Sequence, residues 1–201
     1  LRQATALVAA APRRLVTFGI RPTYPAESFG YIEQGAPLAT PPGDAPAHAV
    51  ARFKEKPPAR VAAEYLAAGT YLWNAGIFVW RADTILAALA ARQPECVERL
   101  RRIVAAWDSP RRDDVFAAEF AEIKGISIDY AVLEHAADVT VIEAPFAWDD
   151  LGGWSAVARQ RGADASGNTV VGRHLGVDTR GTIVHAADGH LRSEEHTSEL
   201  Q

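Results

Sequence analysis

The chain has 201 residues, of which 48% are hydrophobic and 23% are charged, and its formal net charge is -4. This mildly acidic balance offers no basic stripe for nucleic acid and no polybasic run for a membrane surface, so we expect small-molecule partners. Cys96 is the single cysteine, which excludes an intrachain disulfide and predicts a reducing compartment, the cytoplasm.

Apolar periodicity and turn residues divide the chain into alternating helices and strands. The apolar stretch at residues 4–12 is far short of a membrane span, and the alanine-rich residues 3–11 predict the tail of a helix. The predicted strands are residues 15–20, 49–53, 71–80 and 139–143. The predicted helices are residues 59–68, 83–92, 113–123, 127–136 and 155–161, together with one that begins at Pro94.

Several of these elements carry a predicted local feature. Residues 35–46 contain four prolines and two glycines, which indicates a surface loop. Gly69 is placed to stop the helix before it, and Asp83 is placed to cap the next one. One face of the helix after Pro94 is predicted to be apolar and to carry Val97, Leu100 and Val104.

The alternation predicts an α/β layered domain with a mainly parallel sheet. In such sheets ligands bind beyond the carboxyl ends of the strands, so residues directly after a strand are candidates for a site. Beyond Gly167 the pattern changes to short segments separated by glycine, which predict the entry to an all-β region. These segments are residues 169–171, 176–178 and 182–185.

The first candidate segment, Glu55-Lys56-Pro57, directly follows a predicted strand. Pro57 biases Lys56 away from a helical backbone, so both charged side chains are expected to project at the end of the strand. A lysine there can supply a point charge to a phosphate, and a carboxylate can accept hydrogen bonds from sugar hydroxyls. The alternative for an isolated Glu-Lys-Pro is a solvated charged turn.

The second candidate segment places the amide of Asn74 inside an otherwise apolar strand. Burying an unpaired amide costs on the order of 1 to 3 kcal/mol, so Asn74 needs a partner in the protein or in a ligand. Gly76 removes a side chain where another group can approach the backbone. The alternative is a core asparagine that bonds a neighbouring loop beside a bulge glycine.

The third candidate segment, residues 148–154 (WDDLGGW), follows the predicted strand at residues 139–143. The adjacent carboxylates of Asp149 and Asp150 can offer hard oxygen ligands to Mg²⁺, which takes one or two protein carboxylates in addition to substrate phosphates. The alternative is an aspartate-capped tight turn with aromatic flanks.

The chain resembles the mannose-1-phosphate guanylyltransferases over residues 1–191. The resemblance is carried by six segments in register, at residues 17–23 (TFGIRPT), 29–33 (FGYIE), 55–57 (EKP), 73–78 (WNAGIF), 127–132 (SIDYAV) and 148–154 (WDDLGGW). It implies an α/β fold of the Rossmann-like, glycosyltransferase-A-like nucleotidyltransferase type, with a mixed sheet flanked by helices. Residues 1–163 would be the C-terminal part of that domain, and residues 164–191 the start of a β-rich, β-helix-like region.

The resemblance also implies an activity, the formation of GDP-mannose and pyrophosphate from GTP and mannose 1-phosphate with Mg²⁺ as the cofactor. Two residues are implied to be catalytic: Lys56, which would neutralise the sugar phosphate, and Asp150, which would be a Mg²⁺ ligand. The other residues implied to bind the sugar phosphate are Gly30, Glu55, Asn74, Gly76 and Asp129. Asp129 is expected to act mainly by closing the pocket, and a homodimer of the full-length protein is a further expectation.

The chain departs from the family pattern at both ends. The family opens with a glycine-rich loop and a second metal-binding aspartate, and neither is found in the 201 residues. Together with the absence of methionine, this predicts that the front of the protein is missing, that its sheet has an unpaired strand edge, and that the chain alone is inactive. Residues 192–201 resemble a translated sequencing adapter, so we expect an artefactual tail and not a natural polar one.

Two alternative functions stay open. The residues that read the base are expected upstream of Leu1, so the protein can be a nucleotidyltransferase for another sugar 1-phosphate, such as glucose 1-phosphate. The same fold can also serve a non-catalytic, sugar-nucleotide-binding regulatory subunit.

Overall fold

The computed structural model describes residues 1–150, 152–186 and 192–195. Leu151, within the third candidate segment, and residues 196–201 of the expected tail lie outside the described residues. The chain divides into two compact units, Leu1–Ala147 and Trp148–Gln201, and the domain boundary at residue 163 stays a prediction. Among the described residues, no helix combines the length and the apolar character that crossing a bilayer requires.

The first unit, which is described throughout, mixes helices and strands as the sequence predicts. Its strands are β1 (Leu15–Ile20), β2 (Tyr31–Pro37), β3 (Ala47–Lys54), β4 (Tyr71–Val79) and β5 (Val139–Glu143). Its helices are α1 (Arg2–Ala10), α2 (Ala59–Ala68), α3 (Ala82–Arg92), α4 (Pro94–Ala106) and α5 (Arg112–Ala121), followed by a π-helical turn at Asp129–Leu133.

The five strands close into a ring in the order β1-β4-β2-β3-β5, with β5 returning to β1. The predicted unpaired edge is therefore wrong, because each strand of the ring has two neighbours. A mainly parallel sheet is also wrong: β1 and β5 pair in parallel, whereas the other four pairs of the ring are antiparallel. The mixed sheet flanked by helices that the family resemblance implies is confirmed.

The core lies where α3 and the π-helical turn cover one face of the strand ring. Leu15, Ile32 and Leu72 from the strands pack with Ile85 of α3 and with Val132 of the turn. Successive residues at the start of β1 are buried, the pattern of a strand covered on both faces.

Some local predictions are confirmed and others are wrong. Gly69 ends α2 in the left-handed conformation, with φ of 68°, as predicted for a C-terminal stop. The surface loop predicted from residue 35 is too long, because β2 continues to Pro37 through its pairing with His48 of β3. The helix predicted over residues 127–136 is wrong, because that segment forms only the short π-helical turn.

Two helix details also differ from the prediction. The N-cap of α3 is Arg81, and Asp83 lies in the first turn, where its carboxylate accepts the Thr84 N–H at 2.8 Å and pairs with Arg81. A negative charge near a helix N-terminus is stabilising without being the cap. On α4 the buried residues are Val97 and Ile103, whereas Val104 is 71% exposed, so the predicted apolar face is displaced.

The second unit contains a helix and a small sheet among its described residues. These elements are α6 (Trp154–Arg161), β6 (Thr169–Val171), β7 (Thr182–His185) and β8 (Arg192–Glu195). The strand predicted at residues 176–178 is wrong, because this segment forms no strand. Residues 192–195, which the sequence analysis left out of the fold, pair antiparallel with β7.

Candidate functional site

Six of the seven predicted site residues are linked by direct contacts in the first unit. Four of them follow the carboxyl end of β3 or lie within β4, and the other two precede β2 or begin the π-helical turn. We call them the polar cluster, which consists of Gly30, Glu55, Lys56, Asn74, Gly76 and Asp129. The structure thus brings six of the predicted residues together, and their roles in binding stay predictions.

Asn74 is the centre of the polar cluster. Its Oδ1 accepts two hydrogen bonds, from the Thr17 hydroxyl at 2.9 Å and from the Gly76 N–H at 3.2 Å. Its Nδ2 donates to Oδ1 of Asp129 at 3.1 Å. These bonds fix the orientation of the amide, because only its nitrogen can donate to a carboxylate. Within the described residues the second N–H of Asn74 has no partner, so it can donate to a ligand hydroxyl.

A bulge in β4 places Gly76 beside this amide. Thr17 pairs with Phe78 and Gly19 pairs with Asn74, so residues 75–77 of β4 face a single residue of β1. Gly76 has φ of 67°, a left-handed conformation that glycine adopts without a steric penalty. The bulge glycine that the sequence left as an alternative is therefore present, and it coexists with an amide that retains a free donor.

Glu55 is a buried carboxylate with a paired cation. Its side chain is the acceptor for the Lys56 ammonium, with 3.1 Å between Oε1 and Nζ, and its backbone N–H donates to Oε1 of Glu134 at 3.0 Å. Burial raises the pKa of Glu55 above its usual value, while the Lys56 hydrogen bond acts in the opposite direction. The same hydrogen bond raises the pKa of Lys56, which keeps the ammonium charged at neutral pH.

Lys56 has a left-handed backbone, with φ of 44°. Lys56 thus avoids the right-handed helical region, as predicted for a residue before proline, but it is not extended. Successive side chains of an extended strand point to opposite faces, whereas the left-handed turn lets the Lys56 ammonium fold back onto the Glu55 carboxylate. This conformation costs a non-glycine residue about 1 to 2 kcal/mol, so the surrounding contacts must hold it.

Gly30 allows Glu55 to pack directly against the backbone. A Cβ atom at position 30 would lie 2.5 Å from Oε2 of Glu55 and 3.4 Å from Cβ of Asn74. The Gly30 carbonyl oxygen also accepts the Asn74 N–H at 2.8 Å. A side chain at position 30 would therefore have to displace the Glu55 carboxylate.

Two residues that contact the polar cluster were missed in the sequence. Thr17 reads as one more core residue of β1, and Glu134 reads as a surface residue near the end of a helix. Thr17 belongs to a segment that carries the family resemblance, which is the one signal that singled it out. Glu134 gave no such signal, because its partner Glu55 is 79 residues away along the chain.

Asp150 belongs to the second unit, and its carboxylate is exposed. It forms no hydrogen bond or ion pair within the described ranges, whereas its neighbour Asp149 pairs with Arg159 at 3.2 Å. In the described part of the chain, no group of three or more His, Cys, Asp or Glu side chains could hold a metal. Mg²⁺ needs only one or two carboxylates when phosphates supply further ligands, so an unpaired Asp150 fits this ion and Asp149 fits it less well.

Comparison with known proteins finds similar sequences along most of the chain. A mannose-1-phosphate guanylyltransferase of Sinorhizobium fredii is 38% identical over 188 residues, which are 93% of this chain and 36% of that protein. A mannose-1-phosphate guanylyltransferase of Klebsiella pneumoniae is 40% identical over 161 residues, which are 79% of this chain and 33% of that protein. The chain thus spans about a third of the length of these curated relatives.

A solved structure and a family description agree with these sequences. The crystal structure described as mannose-1-phosphate geranyltransferase from Thermus thermophilus has a TM-score of 0.70 and 30% identity, and the match covers 96% of this chain and 60% of that one. Residues 1–166 match the family described as nucleotidyl transferase. This match covers well over half of the chain, which therefore belongs to the nucleotidyl transferase family.

Proposed function

We propose that this chain is part of an enzyme that forms GDP-mannose and pyrophosphate from GTP and mannose 1-phosphate. The observation that carries the proposal is the polar cluster, in which a lysine, a carboxylate and an oriented amide meet within a nucleotidyl transferase chain. The relatives named as mannose-1-phosphate guanylyltransferases support mannose as the sugar. We also propose a cytoplasmic location and a homodimer for the full-length protein.

The residues of the polar cluster suit a phosphorylated hexose. The Lys56 ammonium is a point charge for the phosphate, and the Glu55 carboxylate can accept hydrogen bonds from sugar hydroxyls. The free N–H of Asn74 donates to a further hydroxyl. Gly30 and Gly76 present only backbone atoms to the hexose, and a side chain at either position would take up the space that the hexose needs.

The proposed reaction is an in-line displacement at the α-phosphorus of GTP. An oxygen of the sugar phosphate forms the new P–O bond, the bond from the α-phosphorus to the bridging oxygen breaks, and pyrophosphate leaves with that electron pair. Both reactants are anions, so the rate depends on alignment and on charge neutralisation. Lys56 supplies a positive charge on the side of the sugar phosphate.

Mg²⁺ is the proposed cofactor, and Asp150 is the residue of this chain that would hold it. When bound, this ion neutralises negative charge on the phosphates and polarises their oxygens. The arrangement around Asp149 argues against a second ligand there, because its carboxylate is already paired with Arg159.

The test is a substrate matrix with the purified full-length protein. GTP, ATP and UTP are each combined with mannose 1-phosphate or glucose 1-phosphate, and pyrophosphate and the nucleotide sugar are both quantified. The proposal expects GDP-mannose as the main product. A preference for glucose 1-phosphate or for another nucleotide would overturn the assigned substrates, and binding of nucleotide sugar without turnover would indicate a regulatory subunit.

Thr17→Val is expected to raise KM for mannose 1-phosphate roughly five- to tenfold, whereas Thr17→Ser keeps it near the wild-type value. The fully buried hydroxyl of Thr17 donates to Asn74, and a lost buried hydrogen bond costs about 1 to 3 kcal/mol. Valine keeps the shape of threonine without the donor. Steady-state kinetics of the two variants check this, and equal KM values in both would contradict an orienting role for Thr17.

Gly30→Ala is expected to raise KM for mannose 1-phosphate by roughly tenfold and to change the melting temperature by only a few degrees. The new Cβ would displace the Glu55 carboxylate, which is the far end of a flexible side chain and can move without disturbing the core. Kinetics and a thermal melt are measured together. A large loss of stability with an unchanged KM would show that Gly30 serves the fold alone.

A further inference from the structure

The π-helical turn contacts the polar cluster at both of its ends. At its first residue, Asp129 accepts the hydrogen bond from Nδ2 of Asn74. Glu134 directly follows the turn, and its N–H donates to the Asp129 carbonyl oxygen at 3.0 Å, which is the i to i+5 bond of a π-helix. One turn thus joins β4 to the segment that follows β3.

The side chain of Glu134 is aimed at that segment. Its Oε1 accepts the Glu55 N–H at 3.0 Å and lies 3.4 Å from the Lys54 ammonium. The pairing of β3 with β2 ends at Lys54, opposite Tyr31, so the Glu55 N–H finds its acceptor in Glu134. A hydrogen bond from a backbone N–H to a carboxylate is roughly twice as strong as one between neutral groups.

The segment needs such an anchor because Lys56 is strained. Its left-handed conformation lies directly before Pro57, where an extended backbone is preferred. Strained backbone persists only where neighbouring contacts over-determine it. Glu134 fixes the residue on the N-terminal side of the strained position, and the rigid ring of Pro57 lies on the other side.

We propose that Glu134 is a positioning residue that holds the Glu55–Lys56 turn in the shape that binds the sugar phosphate. This inference rests on the proposed function. Glu134 does not touch the ligand; it acts through the backbone of Glu55, whose carboxylate and neighbouring ammonium make the contacts.

The surrounding charges agree with this role. Glu55 is buried, and the charges of Asp129 and Glu134 oppose its ionisation, while Lys56 favours it. The Glu134 carboxylate beside the buried Glu55 carboxylate is electrostatically unfavourable. The hydrogen bond that Glu134 accepts from the Glu55 N–H is the contact that offsets this cost. Glutamine offers the same acceptor oxygen without the charge, so Glu134→Gln is the conservative variant.

The experiment compares Glu134→Ala with Glu134→Gln in the full-length protein, with Asp138→Ala as the matched control. Asp138 is a nearby carboxylate that pairs with Arg14 at 3.2 Å and has no contact with the polar cluster in the described part of the chain. We expect the alanine variant to raise KM for mannose 1-phosphate by roughly tenfold and KM for GTP by less than twofold. The glutamine variant and the control are expected to stay within about threefold of the wild type.

A second readout does not depend on turnover. Hydrogen–deuterium exchange of the ligand-free protein reports on the Glu55 amide, which should exchange faster in Glu134→Ala and remain protected in Glu134→Gln. Unchanged exchange and unchanged KM in the alanine variant would overturn the inference, as would equal losses in both variants. If the wild type makes no GDP-mannose but exchange follows the expected pattern, the proposed function falls and the anchoring of the turn stands without its assigned ligand.

Discussion

Replacing Lys56 by alanine is expected to raise KM for mannose 1-phosphate by roughly 10- to 100-fold, while KM for GTP stays within about twofold. The side chain of Lys56 is more than half exposed, and its ammonium lies 3.1 Å from the Glu55 carboxylate. The ammonium can therefore bind a phosphate while it stays paired with Glu55. It is a binding charge on the side of the sugar phosphate, so its loss should act mainly on that substrate. Initial rates with each substrate varied in turn measure the two KM values.

Lys124→Ala is the control for the loss of a positive charge. Lys124 is exposed and lies outside the polar cluster, so its removal should change neither KM. A thermal melt of Lys56→Ala shows whether Glu55 tolerates the loss of its partner. Equal increases in both KM values would contradict the assignment of Lys56 to the sugar phosphate.

The sequence predicted best those features that depend on neighbouring residues. Gly69 stops α2 because its left-handed conformation is a local requirement, and the strand at residues 139–143 follows from a run of apolar side chains. Local signals failed where a tertiary partner decides the outcome. In place of the predicted helix there is a π-helical turn, where Asp129 contacts Asn74 of β4 and Glu134 accepts the Glu55 N–H directly after β3.

The ring of strands could not be derived from periodicity. Alternating strands and helices indicate an α/β domain, but the direction of each pair depends on which strands meet. Here β3 pairs with β5 as well as with β2, and this contact joins residues about ninety positions apart. The predicted free edge failed for the same reason, because the sequence does not show which strand will cover an edge.

The sequence singled out the residues of the polar cluster, but it did not show the contacts that hold them in place. Glu55 and Lys56 could be selected because they directly follow a strand, and Asn74 because an amide inside an apolar strand needs a partner. The left-handed backbone of Lys56 contradicts the ordinary preference before proline, and the strain is held by Glu134, which carries no signal in a single sequence. Such exceptions to local preference are expected where a binding site needs a particular shape.

Replacing Asp150 by asparagine is expected to lower kcat of the full-length enzyme by two orders of magnitude or more and to leave its melting temperature nearly unchanged. An exposed carboxylate without a partner in the described residues contributes little to folding, whereas a Mg²⁺ ligand loses its charge in this variant. The concentration of Mg²⁺ needed for half-maximal activity should rise as well. Rates measured over a Mg²⁺ titration give both quantities.

Asp149→Asn is the matched control, because the same change is made one residue earlier in a carboxylate that is paired with Arg159. If Asp149 holds only this ion pair, kcat should fall by no more than a few fold, since exposed ion pairs contribute at most about 1 kcal/mol. Comparable losses in both variants would mean that the two aspartates share the metal. Full activity of Asp150→Asn at limiting Mg²⁺ would exclude Asp150 as a ligand and leave its free carboxylate without a role in the reaction.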